Sequence, residues 1–68
     1  MKNNQEIVLK IIKDNAGITV DGITFHALGQ IDLHRKARKQ VVQQTVYRLK
    51  RNKKIRTDGE MPSHWFLN

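Results

Sequence analysis

Three side chains that can bind a polyanion recur at a four-residue spacing: Lys39, Gln43 and Tyr47. Residues at i, i+4 and i+8 share one face of an α-helix, so a helix here would place an ammonium group, an amide and an aromatic ring together. The amide can hydrogen-bond a phosphate or a base edge. Gln40 and Gln44 are near enough in sequence to share this work. The pattern predicts a polyanion-binding surface, and the alternative is the solvated outer face of a structural helix.

Basic residues are concentrated in the same part of the chain. The chain carries 13 Lys and Arg against 6 Asp and Glu, a formal net charge of +7, and residues 33–57 contain no acid. The cations in this range are Arg35, Lys36, Arg38, Lys39, Arg48, Lys50, Arg51, Lys53, Lys54 and Arg56. One basic segment with the acids outside it is typical of a nucleic-acid binder, whereas a merely soluble surface usually intersperses both signs. Arg35, Lys36 and Arg38 therefore join the candidate site.

The sequence gives little support to an enzyme or a metal protein. His26, His34 and His64 have no carboxylate or cysteine at a spacing that would complete a coordination shell, and the chain has no cysteine. No Ser-His-Asp arrangement, glycine-rich phosphate loop or carboxylate pair stands out. We expect no catalytic residue, metal, cofactor or small-molecule substrate.

Apolar spacing predicts three helices and a hairpin within one domain, residues 1–68. The first helix runs from about Asn4 to Asn15, with Asn3 or Asn4 as its cap and Gly17 as a left-handed stop. Residues 18–20 are a brief strand or an extended link, 21–22 a turn, and Thr24 caps a short second helix. Residues 30–38 connect it to a third helix, residues 37–51.

The segment after the third helix changes to strand-like patterning. Residues 54–57 alternate, residues 58–60 form a turn, residues 61–63 lie in the loop and residues 64–67 return as a strand. We expect Val42, Val46, Leu49 and Trp65 to be buried, while the Tyr47 ring either meets a ligand or covers the edge of the core. The predicted fold is therefore α+β, a winged helix-turn-helix of three helices with a C-terminal β-hairpin wing, in which a small three-stranded sheet has a place.

The C-terminal half resembles the Zα domains, winged helices found in the RNA-editing adenosine deaminase, innate-immune sensors and some viral proteins. Their third helix carries Lys-x-x-x-Asn-x-x-x-Tyr and their wing Pro-Pro-x-Trp. This chain has Lys39, Gln43 and Tyr47 at the first spacing and Pro62-Ser63-His64-Trp65 in the wing. The interval from tyrosine to tryptophan matches without a gap, and the resemblance covers about residues 37–67.

The resemblance implies recognition of left-handed Z-form DNA or RNA by shape. Tyr47 would face a syn base, with Trp65 edge-on to its ring and reaching a phosphate. Lys39 and Gln43 would contact the zigzag backbone, and Pro62 would shape the wing. Gln43 replaces the family's asparagine, Ser63 replaces its second proline, and the connection before the third helix is longer than usual.

Two other functions stay open on the sequence. In a B-DNA-binding regulator of phage or mobile-element type, glutamines of the third helix would read bases in a major groove. In a protein-interaction winged helix, the basic face would bind an acidic partner. For the nucleic-acid hypotheses we expect double-stranded DNA, and also RNA, as the partner of a monomer, with two copies on one duplex as one arrangement. The absence of a signal-like or membrane-spanning apolar run predicts an intracellular location, in the cytoplasm or nucleoid or in a host cell.

Overall fold

Residues 3–68 form three helices followed by a two-stranded antiparallel sheet, which makes this an α+β protein. The computed structural model describes residues 3–68. The elements in chain order are α1 (Asn4–Asp14), α2 (Val20–His26), α3 (Arg35–Arg51), β1 (Ile55–Thr57) and β2 (Trp65–Leu67). Within residues 3–68, no helix has both the length and the apolar character needed to span a membrane.

Helix α1 follows the sequence prediction closely. Asn3 caps it, accepting a hydrogen bond at Oδ1 from the Glu6 N–H at 2.8 Å. The predicted apolar stripe is buried, namely Ile7, Val8, Ile11 and Ile12. The chain leaves the helix through Gly17, whose φ of 84° is the left-handed conformation that glycine adopts at little cost.

The start of α2 differs from the prediction. Thr19 caps this helix, because its Oγ1 accepts a hydrogen bond from the Gly22 N–H at 3.2 Å. The predicted turn at residues 21–22 is wrong, since both residues lie inside the helix, and so is the predicted cap at Thr24. Asp21 suits the first turn because its carboxylate meets the positive end of the helix dipole. Gly22 suits the third position of the helix because a Cβ there would lie 2.7 Å from Cγ1 of Ile18.

The segment before α2 joins the sheet at a single residue, Ile18. Ile18 pairs with Trp65 as an isolated antiparallel bridge, in which the Trp65 N–H donates to the Ile18 carbonyl at 2.8 Å. The Gly17 N–H donates to the Trp65 carbonyl, also at 2.8 Å. The predicted strand at residues 18–20 is thus reduced to one bridging residue, since Val20 belongs to α2.

Helix α3 begins two residues before its predicted start. His34 caps it and accepts a hydrogen bond at Nδ1 from the Lys36 N–H at 3.4 Å. The predicted connection at residues 30–38 therefore ends at residue 34, and Arg35, Lys36 and Arg38 lie on the first turns of the helix. The core-facing positions of α3 agree with the prediction, because Val42, Val46 and Leu49 are buried.

The hairpin is shorter than predicted and packs against the core through Trp65. Its register pairs Ile55 with Leu67 and Thr57 with Trp65. Trp65 is only 2% exposed, which confirms the prediction that it closes the core. Residues of all three helices and both strands share that single buried cluster: Ile7, Val8, Ile11, Ile12, Ile23, Ala27, Ile31, Val42, Val46, Leu49, Ile55 and Trp65. The hairpin is thereby held beside α3.

Candidate nucleic-acid interface

A concave surface between α3, the start of α2 and the hairpin loop gathers six of the predicted site residues. We call it the hairpin groove. It is lined by Thr19, Val20, Asp21, Lys39, Gln43, Tyr47, Pro62, Ser63 and Trp65. The α3 residues reach it because the four-residue spacing places them on one face, and the loop residues reach it because β2 is anchored in the core. Residues far apart in the chain thus meet on one surface.

The aromatic pair is the most distinctive part of the hairpin groove. The Tyr47 and Trp65 ring centroids are 6.3 Å apart and the ring planes stand at 89°. This edge-to-face geometry is a favourable arrangement for two aromatic rings. The buried Trp65 ring holds the Tyr47 ring in place. Because Tyr47 is 55% exposed, its ring still offers surface to a ligand.

Trp65 also brings a polar atom that the fold leaves without a partner. Its Nε1 is buried, and no atom of residues 3–68 accepts a hydrogen bond from it. A buried N–H without an acceptor costs free energy, so such groups are rare in folded proteins. An anion or a water bridge admitted to the hairpin groove would satisfy this donor.

The cation of the hairpin groove has a carboxylate beside it that the sequence did not predict. Lys39 Nζ lies 3.1 Å from Asp21 Oδ1, and both side chains are mostly exposed. Asp21 precedes the basic segment in the sequence. It lies beside Lys39 of α3 because α2 begins at Val20, which places Asp21 in the first turn of that helix. Among residues 3–68, Lys39 is the only lysine or arginine in an ion pair, so the other described cations keep their charge uncompensated at contact distance.

The hairpin loop that forms one wall of the hairpin groove is organised by Asp58. Its Oδ1 accepts hydrogen bonds from the N–H groups of Glu60 at 3.0 Å and His64 at 3.1 Å, and its Oδ2 lies 2.8 Å from His64 Nδ1. The backbone hydrogen bond from Glu60, with those from His64, lowers the pKa of Asp58 below its ordinary value of 3.8. Ser63 Oγ donates to the Glu60 carbonyl at 3.1 Å, and Pro62 follows a cis peptide bond.

The remaining predicted site residues lie outside the hairpin groove. Arg38 turns towards the connection before α3, where its Nε donates to the Ile31 carbonyl at 3.0 Å and its Nη2 donates to the Leu33 carbonyl. Arg35 and Arg38 line a second concavity with Lys39, described below. Lys36 and Gln40 are exposed on α3 and line neither surface.

Gln44 belongs to a separate surface on the far side of α3. We call this the rear groove. It is lined by Asn3, Asn4, Gln5, Val41, Gln44, Thr45 and Arg48. The two adjacent glutamines of α3 therefore face different surroundings, because consecutive helical residues point about 100° apart.

The described part of the chain contains no cluster of three or more histidine, cysteine or acidic side chains that could hold a metal ion. His26, His34 and His64 are each engaged locally: His26 with the Phe25 ring, His34 as the α3 cap and His64 with Asp58. Comparisons with models of known protein families and with curated protein sequences gave no match to this chain.

Proposed function

We propose that this chain is a winged-helix domain that recognises left-handed Z-form DNA or RNA by the shape of its backbone. One observation carries the proposal: an exposed tyrosine ring on α3 is held edge-on by a buried tryptophan of the hairpin, within reach of Lys39 and Gln43. That arrangement corresponds to the tyrosine, tryptophan, lysine and amide by which the sequence resembles the Zα domains.

The arrangement of elements supports the winged-helix part of the proposal. Two helices lead to a long third helix, and a hairpin follows and packs beside it. A third strand position is supplied by Ile18, which bridges to the second strand of the hairpin. In this reading α3 is the recognition helix and the hairpin loop, residues 58–64, is the wing.

The six predicted site residues of the hairpin groove each have a chemical role in the proposed interface. The Tyr47 ring faces a syn base, and the perpendicular Trp65 ring limits its rotation. Lys39 and Gln43 contact phosphates, with charge and hydrogen bonding respectively. Pro62 and Ser63 approach the sugar-phosphate backbone of the nucleic acid from the wing side. The Trp65 Nε1 donor reaches a phosphate oxygen through a water, since the atom itself is buried.

Electrostatics supports a nucleic acid as the partner. The chain has a formal net charge of +7, and ten of its cations lie in one segment without acids. Neutralising phosphates with lysine and arginine releases counterions, so affinity should fall steeply with salt. The domain extends only 28 × 25 × 20 Å and covers few base pairs. We therefore propose a monomer in isolation that binds a duplex in two copies.

Circular dichroism of an alternating CG duplex tests the proposal. Adding the protein at moderate salt should invert the long-wavelength bands of the nucleic acid, which reports conversion to the left-handed form. Tyr47→Ala should abolish the inversion while the protein stays folded, and Tyr47→Phe, which keeps the ring, should retain most of it. Gln44→Ala in the rear groove is the matched control and should convert the duplex like the parent.

A second candidate, a B-DNA-binding regulator, is favoured by the exposed amides of α3. Gln40, Gln43 and Gln44 are all exposed and could read base edges in a major groove. The same titration separates the two functions. Binding without inversion of the bands would support the B-form reader, and selection of a preferred duplex sequence would then follow.

A further inference from the structure

Helix α2 and the two residues that follow it bury one side and leave large apolar side chains on the other. Ile23 and Ala27 are fully buried, whereas Phe25 is 70% exposed and Leu28 is 51% exposed. The Phe25 ring lies edge-on to His26, with the ring centroids 5.9 Å apart. Neighbouring apolar side chains exposed in this way often mark an interaction surface.

These two apolar residues share a concavity with the start of α3. We call it the α2 groove. Its lining residues are Asp21, Thr24, Phe25, Leu28, Arg35, Arg38 and Lys39. Three cations thus border an apolar floor. Neither Arg35 nor Arg38 pairs with a carboxylate of residues 3–68. The Asp21–Lys39 ion pair lines this surface and the hairpin groove alike, so it forms the boundary between them.

We infer that the α2 groove docks an acidic amphipathic peptide segment of another protein. An apolar side chain of that segment would cover Phe25 and Leu28, and its carboxylates would face Arg35 and Arg38. This inference does not depend on nucleic-acid binding, because Phe25 and Leu28 lie outside the proposed nucleic-acid interface.

Charge and polarity favour this occupant over two others. A nucleic-acid backbone would use the cations but would gain little from exposed phenylalanine and leucine side chains, whereas an acidic amphipathic peptide uses both. A second copy of this chain carries the same formal net charge of +7, which opposes self-association through a surface bordered by cations.

The test uses a synthetic peptide with leucine at helical spacing and glutamate at the remaining positions. Fluorescence anisotropy should show binding to the full chain, and a peptide with serine in place of leucine should bind much more weakly. Amide chemical-shift changes in the wild-type protein should centre on Phe25, Leu28 and Arg35. Equal binding of both peptides, no binding of either, or shifts centred on Tyr47 and Trp65 would overturn the inference.

Paired variants give a second readout. The double change Phe25→Ser and Leu28→Ser should weaken peptide binding about tenfold or more, because it removes the apolar surface that the ligand covers. Met61→Ser alters a more exposed apolar residue in the hairpin loop and should have no effect. Arg35→Glu should weaken peptide binding more than Arg48→Glu, which makes the same charge change in the rear groove.

Two further outcomes would assign the α2 groove to another occupant. If the wild-type chain sediments as a dimer that the double variant abolishes, the occupant is a second copy. If the double variant loses binding to the alternating CG duplex while circular dichroism shows that it is still folded, the α2 groove belongs to the nucleic-acid interface. Retained duplex binding together with lost peptide binding supports the inference.

Discussion

The two outer faces of α3 look similar in composition and differ in what surrounds them. The hairpin groove and the rear groove each contain a glutamine and a cation from this helix. In the hairpin groove these groups stand beside an exposed tyrosine held by a buried tryptophan. In the rear groove they stand beside asparagine and glutamine side chains near the start of α1, with no aromatic ring in the lining. Charge alone would therefore not distinguish the two faces, and the aromatic pair does.

The largest effect is expected at Trp65, which belongs to the core as well as to the hairpin groove. Trp65→Ala should lower the free energy of unfolding by about 3–5 kcal/mol, because it removes a large buried side chain and leaves a cavity. Urea unfolding followed by circular dichroism measures this. Tyr47→Ala should cost far less, since more than half of its surface is exposed. Equal losses in both variants would show that Tyr47 serves the core rather than a ligand.

The adjacent glutamines offer the sharpest comparison of the two faces. Gln43→Ala should weaken duplex binding by about 0.5–1.5 kcal/mol, up to roughly tenfold, because it removes one hydrogen bond to the backbone. Gln44→Ala should leave the affinity unchanged. Anisotropy titrations of both variants at one salt concentration give the result. If the two variants weaken binding equally, the ligand does not prefer the hairpin groove.

Asp21 should reduce the affinity of the hairpin groove for phosphate. Asp21→Asn removes a carboxylate that lies 3.1 Å from Lys39, so duplex binding should become about two- to fivefold tighter, in keeping with the 0.2–1 kcal/mol typical of exposed ion pairs. Asp32→Asn changes the net charge equally, at an exposed position outside the hairpin groove. A similar gain in both variants, measured by anisotropy, would mean that net charge alone is responsible.

The smallest effect concerns the hairpin loop and depends on pH. Because the folded protein lowers the pKa of Asp58, the ionised carboxylate stabilises the fold above the ordinary value of 3.8. That stabilisation is lost as the pH falls through the lower pKa of the folded state. Asp58→Asn should therefore melt below the parent at neutral pH, and the two melting temperatures should converge in acid. A difference that does not change with pH would contradict this role of the charge.

The sequence predicts those features that depend on a repeating pattern. The apolar spacing of α1 and α3 identified their buried faces. The edge-on contact between Tyr47 and Trp65 was implied by the resemblance to the Zα domains and not by a repeating pattern. Helix α2 was misplaced because an Asp-Gly pair is typical of a turn, while here the dipole favours Asp21 and the Ile18 side chain leaves no room for a Cβ at residue 22.

The contributions of Arg38 and Asp21 could not be read from the sequence. Arg38 was assigned to the site from its charge, yet its guanidinium donates to carbonyls of the connection, whose position depends on the packing of Ile31 into the core. Asp21 was left outside the site because it precedes the basic segment, and only tertiary structure brings it to Lys39. Both side chains make contacts with a different segment of the chain, and no sequence pattern links the two segments in either contact.

The perpendicular aromatic pair also has a spectroscopic consequence. The chain contains one tryptophan and one tyrosine, and they are these two residues. Excited tyrosine transfers energy efficiently to a tryptophan at such a short distance, so emission from the native protein should come almost wholly from Trp65. Unfolding separates the two rings and should restore the tyrosine emission, while a ligand stacked on Tyr47 should quench the native signal. The protein thus carries its own optical reporter at the hairpin groove.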